Sequence, residues 1–295
     1  MKVGDETGLI YGFVYDGLYQ FDEFYFDPLN NYTAVPWGSS STDNGTSSNC
    51  APRGDGYVTV INDISGDSNS GKATLPGKPK FKDLDGDGRI TENDRTVIGN
   101  TNPRWQGGFG ISGTYKEWDF SANFTYMLKF DVYNATAYAL SSSSSTATTY
   151  TNVLAKFGRA NRWAYTADFG SHDDYTTTAK TVLDQTTDYI TMNANKSLWN
   201  PADLVTNTIN SYFVEDGSFV RCQDITVGYT FPKKIASKIY LSKLRAYVSA
   251  GNLFMITGYS GYDPEVDVQS GLTPSMDYNR YPRSRTFSFG INATF

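Results

Sequence analysis

Histidine is almost missing from this chain: among 295 residues only His172 occurs, in "GSHDDY". Imidazole-based acid–base chemistry and metal ligation therefore have one side chain to draw on. A Ser–His–Asp triad needs that ring held by a rigid scaffold, and "GSHDDY" lies in polar, loop-like sequence. No HExxH, GxSxG or GxxxxGK[ST] pattern is present, so hydrolase and nucleotide-binding readings lack their motifs. The expectation is a protein that is not an enzyme. The two cysteines, Cys50 and Cys222, are far apart and share no zinc-type spacing, so they define neither a disulfide framework nor a metal site. No apolar run approaches the roughly 18 residues of a transmembrane helix. The opening "MKVGDETGLI" has no apolar core of a secretory signal. A net charge of −6 lacks the basic surface that nucleic acid requires.

What the chain has is aromatic residues, 22 Tyr and 18 Phe, and a strict two-residue alternation. In "WDFSANFTYMLKF" the even positions from Trp118 to Phe130 are apolar and the odd ones, Asp119 to Lys129, are mostly polar. The C-terminal segment repeats this, with Phe287, Phe289, Ile291, Ala293 and Phe295 set against Thr286, Ser288, Gly290, Asn292 and Thr294. Trp105–Tyr115, Ile225–Phe231 and Leu244–Ala250 follow the same period, and a weaker strand spans Leu9–Tyr15. Period two means strands with one apolar and one polar face. Soluble strands average about 5–6 residues, whereas membrane β-strands need about 9–11. Trp105, Tyr115, Trp118, Phe130, Phe231 and Phe254 fall near strand ends, as in the aromatic girdles of outer-membrane barrels. A soluble β-sandwich alternates with the same period, so pattern alone leaves both open.

The connections favour the barrel. Tyr115 to Trp118 is a tight turn, and "PKKIASKIYLS" from Pro232 to Ser242 is short and basic. The links over 17–103, 132–216 and 256–282 are long, polar and rich in Gly, Ser and Thr. Short periplasmic turns alternating with long extracellular loops are the arrangement of outer-membrane barrels. Short helical turns are expected near Thr151–Arg159 and Pro201–Asn207. Trp37, Trp163 and Trp199 lie in the loops, where they are expected to pack the loops together rather than form a sugar platform. Asp263 and Glu265 in "YDPEVD" have the composition of a glycosidase pair, but sequence gives no distance between the carboxylates, and the expectation is a Pro-turned loop contacting a partner.

The first long link contains "DLDGDGRITEND", Asp83–Asp94. Counted as an EF-hand-type loop, positions 1, 3 and 5 are Asp83, Asp85 and Asp87, with Gly88 at the sharp turn. Arg89 would offer its backbone carbonyl, Ile90 is an apolar anchor, Thr91 would act directly or through water, and Asp94 takes the place of the usual Glu. Such oxygen clusters suit Ca2+. The flanks "TLPGKPKFK" and "RTVIGNTNPRW" are broken by proline or β-like and exclude the paired helices of an EF-hand. The expectation is a structural calcium rivet over 83–94, holding a long external loop near the strand that begins at Trp105.

Taken together, "GLIYGFVYDGLYQ" (Gly8–Gln20), "PGKPKFKDLDGDGRITENDRTVIGNTNPRWQGGFG" (Pro76–Gly110), "DGSFVRCQDITVGYTFP" (Asp216–Pro232), "LRAYVSAGNLFMITGYSGYDPEVD" (Leu244–Asp267) and "RYPRSRTFSFGINATF" (Arg280–Phe295) resemble the C-terminal part of the SusC/RagA-type TonB-dependent outer-membrane transporters. The segments occur in the family's order, whereas 30–70 and 141–195 match little, as variable loops would. The resemblance implies an all-β fold, an antiparallel transmembrane β-barrel fragment with long extracellular loops, about the last six strands of a 22-stranded barrel. It implies location in the cell outer membrane and contact with its lipid. It also implies a SusD-like lipoprotein partner, energy from the TonB system through an N-terminal region, and import of an oligosaccharide or peptide. Residues 1–295 show no plug or TonB box, so the expectation is that Met1 is not the biological start. Phe295 resembles the aromatic terminal residue of an outer-membrane assembly signal. The alternative is a soluble secreted carbohydrate-binding β-protein with a dockerin-like calcium loop; it requires Phe120, Phe124, Phe287 and Phe289 to be buried between two sheets.

Overall fold

The structure, a computed structural model, describes residues 6–20, 24–27, 33–36, 61–62, 72–73, 77–87, 89–142, 152–158, 160–163, 193–201, 208–266, 275–278 and 281–295. Its residues group into two compact units. One comprises 1–10, 99–136 and 214–295, and the other 11–98 and 137–213.

The first unit is built on one antiparallel sheet. Its strands are β1 (Trp105–Tyr115), β2 (Trp118–Leu128), β3 (Phe219–Thr230), β4 (Lys243–Gly251), β5 (Met255–Thr257) and β6 (Thr286–Thr294). The order is β1-β2-β3-β4-β6, with the short β5 also pairing with β3. The sheet is not closed: β1 and β6 are both edges.

Register places the alternating residues as the period requires. Phe109 faces Phe124, Ile111 faces Ala122 and Tyr115 faces Trp118. The row continues through Phe120 opposite Val227, Val227 opposite Val248 and Val248 opposite Phe289. Directly paired residues share a sheet face, so all of these lie on one apolar surface. That surface is bare: Phe120 is 43% exposed, Phe287 59% and Phe289 78%. The sandwich alternative needed these side chains covered and is thereby contradicted. No helix among the described residues is long and apolar enough to cross a membrane; the candidate spanning elements are strands.

The structure departs from simple alternation in three places. Phe130 does not continue the outer aromatic row, because β2 ends at Leu128 and Lys129 adopts φ 58. That left-handed residue turns Phe130 into a buried cluster with Val132, Phe219, Tyr259 and Val266. The expected strand at Leu9–Tyr15 does not join the sheet; it divides into Leu9–Gly12 and Tyr15–Leu18, each in a separate two-stranded ribbon. The sixth strand of the sheet is instead β5, which resumes the line of β4 after Asn252, a left-handed residue at φ 51. Asn is among the few side chains that tolerate that conformation.

The second unit packs its long links around aromatic rings. Trp199 is 1% exposed and lies against Phe157, Tyr15 and Tyr212 at centroid distances of 5.0, 5.7 and 4.8 Å. Its indole N–H donates to the Ser141 carbonyl at 3.1 Å. Trp163 is fully buried over Gly77, whose φ of +84 and closeness to the ring (2.5 Å from an added Cβ) leave room for no other residue. The loop tryptophans therefore serve packing; Trp37 lies outside the described residues. Of the expected helical turns, the first appears as a 3-10 turn over Ala155–Phe157, and 202–207 lie outside the described residues.

Candidate functional site

The polar face of the sheet opposes the apolar one residue for residue. Gln106, Ser112 and Thr114 on β1 share it with Ser121, Asn123 and Thr125 on β2, Thr226 on β3 and Ser249 and Ser288 on β4 and β6. Two features cross it. Arg245 on β4 reaches over β3 to Asp119 on β2, with donor distances of 2.9 and 2.5 Å. The guanidinium lies where a side chain at position 228 would stand, so Gly228 is the residue that lets the pair form. Arg245 also sits 5.0 Å above the Tyr247 ring, and Tyr247 in turn covers Gly290. Arg245 and Asp119 thus meet across the polar face as a fork-shaped pair.

At the opposite end of this face lies a denser network. Arg221 is 2% exposed. It donates to Asn252 Oδ1 at 2.7 Å and to Asp263 Oδ1 at 2.6 Å. Its Nε lies 3.2 Å from Glu265 Oε2, an ion pair without hydrogen-bond alignment. Arg283 holds the other Glu265 oxygen at 2.8 Å. A second set of contacts fixes the same connection: Ser260 donates twice to Glu215, and the Tyr259 hydroxyl donates to Asp277 at 2.6 Å. Burial and the Asp277 carboxylate raise the Tyr259 hydroxyl well above the ordinary phenol range, so it remains a donor. The acidic pair of "YDPEVD" is thus clamped to Arg221.

Arg221 was not foreseen as a site residue. Strict alternation from Ile225, Val227 and Tyr229 would place it on the apolar face. A one-residue irregularity prevents this: Asn123 pairs with Asp224 but Phe124 with Cys222, leaving Gln223 as the extra residue of a bulge. The arginine itself was the available signal, since a charge on the apolar face of a sheet is costly and calls for a local slip. Cys222 is a buried free thiol beside this bulge; Cys50 and His172 lie outside the described residues.

In the acidic loop, carboxylate oxygens of Asp83, Asp85 and Asp87 lie within 4.8 Å of one another. The loop is folded by its own carboxylates: Asp83 accepts the Gly86 amide at 2.7 Å, Asp85 the Asp87 amide at 3.2 Å, and Asp87 the Arg89 amide at 2.7 Å. Asp94 is not part of the three-residue group. It is fully buried and accepts the Leu84 and Thr91 amides, each at 2.7 Å, closing a capping box with the 3-10 turn Glu92–Asp94. Arg89 and Ile90 form a two-residue strand paired with Ile61–Asn62. Ile90 is buried with Phe13 and Phe81, the anchoring that an apolar eighth position provides. Dehydration raises the Asp85 carboxyl above its usual range; the Asp87 amide opposes this, and Asp87, Asp94 and Asp83 add to it by repulsion. Gly88 lies outside the described residues.

Comparison with known proteins gives a consistent set of relatives. No family model matches the chain. TonB-dependent receptor P3 of Formosa agariphila is 28% identical over 301 residues, covering 100% of this chain and 23% of the relative. TonB-dependent receptor P39 of the same organism is 27% identical over 305 residues, covering 100% of this chain and 26% of the relative. TonB-dependent receptor SusC of Bacteroides thetaiotaomicron is 39% identical over 88 residues, covering 30% of this chain and 8% of the relative. The chain thus spans about a quarter of the length of the first two. Among solved structures, the RagAB peptide importer in the closed-closed state matches with a TM-score of 0.55 and 17% identity, over 97% of this chain and 23% of that one. At that identity the match speaks for the fold.

Proposed function

We propose that this chain, a SusC/RagA-like segment of a TonB-dependent receptor, supplies part of the barrel wall of an outer-membrane nutrient importer. The observation that supports this best is the division of one sheet into a bare apolar face and a polar face. Lipid would cover the first, and the second would line the transport path. The cargo class is an oligosaccharide or a peptide. Energy would come from the TonB system through a region outside this chain. A SusD-like lipoprotein would cap the end that carries the long connections. Tyr262, Tyr278 and Tyr281 are 73%, 72% and 88% exposed on the connection between β5 and β6, and exposed tyrosines suit a protein interface. Uptake tests the reading. Cells with the intact receptor should accumulate a labelled oligosaccharide or oligopeptide only while TonB works; equal accumulation without TonB contradicts it.

Within this importer the acidic loop is a Ca2+ rivet. Asp83, Asp85 and Asp87 would be its carboxylate ligands, with the Arg89 carbonyl and Asp94 completing the set; three converging carboxylates have the hard-oxygen chemistry that Ca2+ takes. Calorimetry of the intact receptor should show heat on adding Ca2+, lost in Asp85→Ala; no heat in the wild type refutes the rivet. The pH dependence has a defined sign. Asp85 has a raised pKa, so its charged form is disfavoured in the fold. Without cation, the loop should gain protection from hydrogen exchange as pH falls from neutral toward the ordinary value of 3.8. With Ca2+ the trend should reverse, because protonation displaces the ion.

A further inference from the structure

The end of the sheet that carries the short connections has a surface that neither transport nor the rivet uses. Between β3 and β4 the chain runs "PKKIASKIYLSK", Pro232–Lys243, with four lysines and no acidic residue in a protein of net charge −6. It coils through a helical turn, Lys233–Ala236, and a 3-10 turn, Ser237–Ile239. Ala236 is fully buried, which fixes one side of the coil. Ile235 and Ile239, four residues apart and so on a common side, are 49% and 54% exposed. Tyr240 follows at 93% exposed with φ 59, a left-handed backbone that a bulky side chain rarely adopts. Lys233, Lys234 and Lys238 form no ion pair among the described residues, and Lys116 lies in the adjoining β1–β2 turn.

This turn continues the lipid-facing surface. Trp118 lies 4.9 Å from Tyr229, and Tyr229 lies 5.1 Å from Phe231, which immediately precedes Pro232. Exposed aliphatic and aromatic side chains among unpaired lysines, joined to an aromatic girdle, have the chemistry of an interfacial anchor. Short connections face the periplasm in such barrels, so the membrane surface within reach is the periplasmic leaflet. We propose that residues 232–243 dock on anionic phospholipid headgroups of that leaflet, Ile235, Ile239 and Tyr240 entering the headgroup boundary and the lysines pairing with phosphates. A turn meant only for water needs neither the three exposed apolar side chains nor charge of a single sign.

The inference rests on the membrane-barrel reading, and the test separates the two. The intact receptor is placed in nanodiscs of mixed phosphatidylcholine and phosphatidylglycerol, and the lipids it retains are identified by native mass spectrometry. Each lysine near an anionic surface contributes about fivefold in lipid preference. The triple variant Lys233→Gln, Lys234→Gln, Lys238→Gln should therefore lose phosphatidylglycerol enrichment on the order of a hundredfold at low salt. The corresponding triple arginine variant should keep it, and high salt should erase the difference. Unchanged enrichment in the glutamine variant overturns the proposal, as does equal loss in the arginine variant. A wild-type receptor that never inserts, seen as absence of a heat-modifiable gel band, overturns the membrane reading and this inference with it.

Discussion

Phe289→Arg in the intact receptor should sharply reduce the inserted, heat-modifiable form, while the neighbouring Ser288→Arg should leave most of it. Phe289 stands near the middle of β6 on the apolar face, opposite Val248 and 78% exposed. A lipid-facing arginine near the bilayer midplane costs about 2–4 kcal/mol, a large share of the stability of a typical domain. Ser288 pairs with Ser249 on the polar face, where an added cation stays in water. The two substitutions introduce the same side chain one residue apart, so chain propensity and expression effects are nearly matched. Semi-native gel electrophoresis of outer-membrane fractions reads the difference. A protein whose apolar face is covered by another sheet would lose stability at Phe289→Arg as well, but its wild type would show no inserted, heat-modifiable form.

The second large effect is expected at Arg221. Its guanidinium holds Asn252, Asp263 and Glu265 together, with both Arg221 and Asp263 nearly inaccessible to water. Removing one member of a buried pair leaves the other charged and unsolvated, at a cost of about 3–5 kcal/mol. Arg221→Met should therefore release the 258–266 connection, seen as new protease cleavage there and a lowered unfolding midpoint. Arg221→Lys should not rescue it, because an ammonium lacks the planar fork that serves several acceptors at once. Glu265→Gln should be milder, since Arg221 keeps Asp263 and Asn252. If Arg221→Met leaves the connection as protected as in the wild type, Tyr259–Asp277 and Ser260–Glu215 hold it unaided and the clamp is redundant.

The sheet was largely legible in the sequence because period two is a direct consequence of backbone geometry. Trp118 to Leu128 and Phe287 to Ala293 keep the faces that their parity assigned. Parity failed where one residue changed the phase. Lys129, at φ 58, turned Phe130 inward, and the bulge at Gln223 turned Arg221 away from the apolar face. Neither event leaves a glycine or proline as a marker. Leu9–Tyr15 has the composition of a strand, yet its partners are set by tertiary pairing rather than by local pattern. The acidic loop was legible as a spacing of aspartates and as an apolar anchor at Ile90. The double amide contact of Asp94 was not, because a capping box and a twelfth metal ligand use the same residue type at the same place. The aromatic packing around Trp199 depends on residues from Tyr15 to Tyr212, a separation that no local window contains.

If one sheet separates lipid from an aqueous path, residue-by-residue labelling of β6 tests it most directly. Single cysteines are placed from Phe287 to Asn292 in the intact receptor, cleared of other accessible thiols, and outer membranes are treated with a membrane-impermeant maleimide. Ser288 and Asn292 positions should label, Gly290 is left unchanged because a Cβ there would meet the Tyr247 ring, and Phe287, Phe289 and Ile291 positions should remain unlabelled until detergent or denaturant removes the lipid. Equal labelling on both faces, or labelling of the phenylalanine positions alone, would contradict the account.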